Sequence, residues 1–144
     1  MTLQTLKMDV VTLNTFLDGA FPHWGGDGGT RVVEATHTGV ICRLPFNEAQ
    51  LRPGGTVSGP TLMGLADATM YAAVLSRIGP VALAVTTNLT INFMRKPEPR
   101  ATVATCRLLK LGKRLAVGEV AITSEGETDL VAHATVTYSI PPHG

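Results

Sequence analysis

The chain has almost no excess charge: 12 Lys and Arg against 11 Asp and Glu leave a net +1, and the basic residues are spread along its 144 positions. A dedicated nucleic-acid binder normally shows a marked basic excess, so no nucleic-acid partner is expected. Cysteine is scarce too. Cys42 and Cys106 stand alone without C-x-x-C spacing, which excludes a disulfide framework or a zinc ribbon and reads as two reduced thiols in a cytoplasmic protein. His23, His37, His133 and His143 have no metal-ligand spacing, so no metal is expected. His133, inside an alternating segment, reads as a hydrogen-bonded structural residue. Apolar runs are broken by Gly or charge well short of the roughly 18–20 residues a membrane span needs. The first ten residues include Lys7 and Asp9 and lack the uninterrupted apolar stretch of a signal peptide. Internal repeats and low-complexity segments are absent as well.

What is present is enough apolar residue, 44%, to build one core, and the length fits one domain. Residues 1–30 read as an N-terminal helix and loop, and 31–141 as the core. Asp9 to Phe21 has Val10, Leu13, Phe16 and Leu17 on one helical stripe. The glycines at 25, 26, 28 and 29 follow in a segment that lacks the Lys-Ser/Thr of a phosphate-binding loop and reads as a plain loop. Arg31 to Phe46 alternates β-branched and polar residues, as one or two strands do. After Pro53-Gly54-Gly55 the composition changes. Thr61 to Ser76 is mostly Leu, Met and Ala, with Ser58 or Gly59 placed to cap a helix, Pro60 suited to its first turn and Gly79-Pro80 to end it. A helix apolar all round must be covered on most sides, so this one belongs at the centre. Gly64, Ala68 and Ala72 recur every four residues and leave room for close packing.

Strands follow. Val85, Thr87, Leu89, Ile91 and Phe93 alternate with Thr86, Asn88, Thr90, Asn92 and Met94, giving one largely apolar and one mainly polar face. Thr102–Leu111 and Leu115–Thr123 flank a turn at Gly112-Lys113, and Leu130–Ile140 follows a second turn around Gly126. Such short connections favour antiparallel hairpins. One central helix with an antiparallel meander is an α+β arrangement.

Asp67 is the sharpest chemical signal. Its neighbours three and four positions away on the helix are Met63, Gly64, Met70 and Tyr71, none of them a cation. A carboxylate in that setting either finds hydrogen bonds elsewhere, as a capping or dimer contact would supply, or stands at a functional opening. Ser58 is not placed as a nucleophile: Gly55-Thr-Val-Ser-Gly59 is not the G-x-S-x-G elbow, and no His stands out as its base.

The stretch Arg52-Pro-Gly-Gly-Thr-Val-Ser-Gly-Pro-Thr-Leu-Met-Gly-Leu-Ala-Asp67, the strand Leu89-Thr-Ile-Asn-Phe-Met-Arg95 and the turn Leu111-Gly-Lys-Arg114 resemble the PaaI branch of the hotdog-fold thioesterases, in order and at compatible spacing from about Arg31 to Pro141. That resemblance implies a long central helix wrapped by an antiparallel sheet, and hydrolysis of an acyl-CoA thioester. It implies that Asp67 acts as general base or nucleophile, that the Gly59 backbone N–H holds the thioester oxygen, and that Thr86 supplies a hydroxyl for the attacking water. It also implies sites shared between two subunits. A helix N-terminus, with free N–H groups and a partial positive charge, suits an oxyanion. This chain has Ser58-Gly59-Pro60 where the family usually has His-Gly-Gly, and Arg52 where many members have Asn; Ser58, Pro60 and Arg52 are therefore assigned to substrate binding.

No separate cofactor is expected, because coenzyme A belongs to the substrate. Its phosphates need cations, for which Arg95 and Lys96 at a strand end and Lys113 and Arg114 at the hairpin turn are the candidates, with solvated surface charge as the other reading. Along one helix Gly59 and Asp67 are about 12 Å apart, which places Gly59 of one chain with Asp67 of the other in a homodimer of antiparallel helices; pairing of two dimers is a further option. The departures at Ser58, Pro60 and Arg52 keep open a hotdog protein that binds acyl-CoA without turnover. A hydratase or dehydratase ranks third, since no His lies between Thr38 and Ala132.

Overall fold

The computed structural model describes residues 6–21, 29–47, 51–52 and 56–143, with the backbone alone at 51, 52 and 56. The glycine-rich segment at 22–28 with His23, the Pro53-Gly54-Gly55 punctuation and the Arg52 side chain lie outside the described residues.

Helix α1 spans Val10–Ala20, and Asp9 caps it by accepting from the Thr12 N–H at 2.9 Å. Leu13 and Leu17 are buried, as the stripe predicts, and Asn14 between them is buried as well. Its amide resolves that cost by donating to Val32 O and accepting from Val32 N, at 2.9 and 3.0 Å, which ties α1 to the first strand.

Among the described residues eight strands follow: β1 Arg31–Thr36, β2 Gly39–Leu44, β3 Leu51–Arg52, β4 Thr56–Val57, β5 Val85–Phe93, β6 Thr102–Leu111, β7 Leu115–Ser124 and β8 Leu130–Ser139. β3 and β4 form a small antiparallel pair; the other six form one antiparallel sheet in the order β1-β2-β6-β7-β8-β5. The central helix α2, Gly59–Ile78, packs on the inner face of that sheet. It is capped at Ser58, whose hydroxyl accepts from the Thr61 N–H at 3.2 Å, and it ends at Gly79 with φ 94°, a left-handed value that favours glycine.

The sheet can come close to α2 because several of its inward positions are small: Ala104 on β6, Ala116 and Gly118 on β7, Ala132 and Ala134 on β8. A Cβ on Gly118 would lie 2.6 Å from Met70 Sδ, so the methionine would have to shift to admit a larger residue where helix and sheet touch. Cys42 and Cys106 face the same core. Burial pushes both thiols up to about 12, which leaves them without a nucleophilic thiolate near neutral pH. His133 sits 3.4 Å from Glu119, a carboxylate that Arg107 also holds, on the outer face of the sheet. No helix among the described residues is long and apolar enough to cross a membrane.

One expectation needs correcting. Strand β5 does not alternate strictly, because its register with β8 shifts between Thr86 and Asn88. Leu89 and Ile91 oppose the buried Val136 and Ala134, but on the other side of the bulge Thr86, not Thr87 or Val85, opposes the buried Tyr138. The extra residue in a β-bulge rotates the chain, so Thr86 leaves the polar face and turns toward the helix.

Candidate active site

Helix α2 buries every residue from Thr69 to Ser76, yet its first half keeps one side open: Pro60, Met63 and Gly64 are exposed, and Asp67 and Ala68 are half-buried. Asp67 stands at the inner end of that opening. The side chain's hydrogen bonds come from two strands. Thr86 Oγ1 donates to Asp67 Oδ1 at 2.6 Å, and Tyr138 Oη donates to the same oxygen at 2.8 Å while lying 3.2 Å from the Asp67 carbonyl. Among the described residues no donor reaches Oδ2. Burial pushes the Tyr138 phenol far above its ordinary range, with the neighbouring carboxylate adding to the effect, so it remains a protonated donor.

At the other end of the opening, the first turn of α2 has few donors left. Pro60 has no N–H. The Thr61 N–H goes to Ser58 Oγ, and the Leu62 N–H to Ser58 O at 3.2 Å. That leaves Gly59, whose N–H meets no acceptor among the described residues. Phe93, at the end of β5, flanks it: a Cβ on Gly59 would sit 3.4 Å from the ring.

The other expected site residues fall into separate places. The Ser58 hydroxyl is engaged in capping and lies 2.9 Å from Thr61 Oγ1. Pro60 is exposed beside it, and Arg52 pairs through its backbone with Thr56. Arg95 and Lys96 follow Phe93 and so lie toward the Gly59 end; Arg95 is 3.6 Å from Asp129. Lys113 and Arg114 lie near the Asp67 end, because Arg114 O accepts from Ile140 N two residues beyond Tyr138. One chain therefore brings Asp67 and Thr86 together but keeps Gly59, and the two cation pairs, apart. Tyr138 is the residue that sequence reasoning did not single out. The available signal was its place on the inward side of β8, in step with Ala132, Ala134 and Val136, where a phenol needs a hydrogen-bond partner.

The sequence profile of the Thioesterase superfamily matches residues 54–138, a stretch that contains Gly59, Asp67, Thr86 and Tyr138. The chain belongs to that superfamily. A candidate thioesterase from Silicibacter sp. is 46% identical, with 96% of each chain covered and a TM-score of 0.88. Thioesterase superfamily member 2 of zebra fish, at 21% identity, covers 93% of this chain and 99% of its own with a TM-score of 0.81. The PaaI protein from the phenylacetic acid degradation operon of E. coli, at 20% identity, covers 81% of this chain and 82% of its own with a TM-score of 0.72. At such identities the last two speak for the fold alone, and that fold is the hotdog. A comparison with curated proteins finds no match. Superfamily membership makes thioester hydrolysis the general chemistry of this thioesterase, and the carboxylate on its central helix is the group to consider first.

Proposed function

We propose that this thioesterase hydrolyses acyl-CoA, with Asp67 as the reacting carboxylate and the Gly59 N–H as the oxyanion donor. The observation that carries the reading is Asp67 itself: a carboxylate at the open side of an apolar helix, held by two hydroxyls on one oxygen and, among the described residues, by no cation. As a general base it takes a proton from water while the water oxygen bonds to the thioester carbonyl carbon. The C–S bond then breaks, and the proton passes to the departing sulfur. As a nucleophile, it forms the bond to that carbon itself, releases the thiol, and water cleaves the resulting anhydride. In either course charge builds on the carbonyl oxygen, where the free N–H at the start of α2 stabilises it. Thr86 keeps lone pairs that can accept a hydrogen from the attacking water although its own proton goes to Asp67.

The site is shared between two copies of the chain. Asp67 and Gly59 are about 12 Å apart along one helix, too far for both to reach one thioester. Antiparallel pairing of two α2 helices across a two-fold axis sets the start of one beside the middle of the other. Two features favour that pairing: Gly64 on the open side of α2 has nothing within 4 Å of its Cβ position, and β5 is a sheet edge with Leu83, Val85, Phe93 and Met94 exposed on or beside it. A long apolar edge strand normally has a partner. The same pairing joins Arg95 and Lys96 of one subunit to Lys113 and Arg114 of the other. Coenzyme phosphates would find four cations there.

The test is thiol release from a panel of acyl-CoAs by the wild type and by Asp67→Asn. We expect turnover by the wild type and a loss in kcat of about a hundredfold or more in the variant, the lower range for removal of an acid–base group. Tight binding of acyl-CoA without thiol release would favour the non-catalytic binder instead. Near-normal turnover by a folded Asp67→Asn protein would remove Asp67 from the chemistry.

A further inference from the structure

We infer that Tyr138 is a positioning residue that decides which oxygen of Asp67 reacts: Oδ1 is held in place, and Oδ2 is presented to the substrate. The inference rests on the reading of Asp67 as the reacting carboxylate. An aspartate oxygen has two in-plane lone pairs, and on Oδ1 two hydroxyls compete for them, Thr86 at 2.6 Å and Tyr138 at 2.8 Å. Little capacity remains on that atom to take a proton from water or to attack carbon. Oδ2 has no donor among the described residues, and no buried side-chain oxygen among them lacks a partner, so Oδ2 faces outward from the core. The oxygen that is free is also the oxygen that is accessible.

The two holders are unequal. Thr86 is exposed, on an edge strand beside a bulge. Tyr138 is 3% exposed and belongs to a cluster of rings from β8, α2 and the residue that caps the end of α1. Its ring lies 5.9 Å from that of Tyr71 on α2, which in turn meets Phe21 edge-on at 5.6 Å and donates its hydroxyl to Ala82 O at 3.1 Å. Because Tyr138 also lies 3.2 Å from the Asp67 carbonyl, its hydroxyl is aligned with the helix as well as with the carboxylate. Without the phenol, a single tether from an exposed edge strand would remain, and the carboxylate could rotate and exchange its two oxygens.

Tyr138→Phe keeps the stacked ring and removes one oxygen atom, so the fold should survive. With an acyl-CoA that the wild type turns over, we expect kcat to fall by about tenfold, the scale of a small misplacement of a reacting group, while KM stays within about twofold and the melting temperature falls only by what the loss of one buried hydrogen bond explains. Introduced into Asp67→Asn, the same change should cause no further loss of residual turnover, because a residue that acts through another has no effect once that other is gone. Wild-type kcat in Tyr138→Phe would overturn the inference. So would a loss that persists in the Asp67→Asn background, since that marks a purely structural role. Full turnover by Asp67→Asn alone would instead overturn the assignment of the carboxylate, and the inference with it.

Discussion

The two halves of helix α2 have similar compositions and different fates. From Thr69 to Ser76 every residue is buried, and its polar members satisfy themselves locally: Thr69 donates to Leu65 O and Ser76 to Ala73 O, both at 2.6 Å. From Gly59 to Ala68 one side faces the sheet through Leu62, Leu65 and Ala66, while the other holds Pro60, Met63, Gly64 and Asp67 at or near the surface. The difference comes from what covers them. Beside the C-terminal half, the chain's own α1 and the preceding residues close over the helix, with Lys7 N and Met8 N both donating to Ser76 O. Beside the N-terminal half lies the edge strand β5, with no further strand among the described residues beyond it. A single apolar helix thus serves as core at one end and as a reactive surface at the other.

That contrast can be tested hardest at the open half. Asp67→Asn chains and Gly59→Pro chains should each be inactive alone, and after mixing about a quarter of wild-type activity should return. Random reassociation makes half of the dimers mixed, and each mixed dimer rebuilds one of two sites. Ser58, at φ −72° and ψ 155°, already has the backbone that a residue before proline needs, so Gly59→Pro is compatible with the start of the helix. If both residues worked within one chain, mixing would restore nothing. The buried half should respond in the opposite sense. Leu75 is fully buried, and Leu75→Ala should lower unfolding free energy by about 2–5 kcal/mol, read from the denaturant midpoint, while turnover per folded molecule stays near wild type. A comparable fall in kcat would mean that the two halves are not separable. The smallest effect is expected at their common start. Ser58→Ala removes the cap and should cost about 1 kcal/mol with KM for acyl-CoA nearly unchanged; a clear rise in KM would show that the hydroxyl contacts substrate as well as capping.

Much of the fold was readable from local pattern. The α2 boundaries follow from Ser58, Pro60 and Gly79, because capping chemistry and proline geometry act within one turn. The β6–β7 and β7–β8 hairpins follow from short polar turns between alternating segments, which leave the chain no other short-range pairing. The site was readable in part. Asp67 declared itself by being the one charge on its helix between Thr61 and Ser76. Thr86 was named from the family resemblance, while period-two alternation put it on the wrong face, since a bulge of one residue inverts the phase and leaves no mark in composition. Tyr138 was passed over because an aromatic at an inward strand position looks like any other core residue until its hydroxyl finds a partner 71 residues away in sequence.

By itself the sequence determined the kind of protein: a charge-balanced chain of the α+β class, a central apolar helix, a sheet of antiparallel hairpins, and one carboxylate out of place among Leu, Met and Ala. These are properties of neighbours in the chain, set by capping, periodicity and solvation. Tertiary structure decided which carboxylate oxygen is held and which is free, that Thr86 and Tyr138 meet Asp67, and that the two candidate cation pairs lie toward opposite ends of the opening along α2. Each of these depends on where distant strands meet the helix, at distances of 2.6 to 3.2 Å for Thr86 and Tyr138 on Asp67. Hydrogen bonds fail over less than an ångström, and no local pattern can specify a position across the fold to that tolerance.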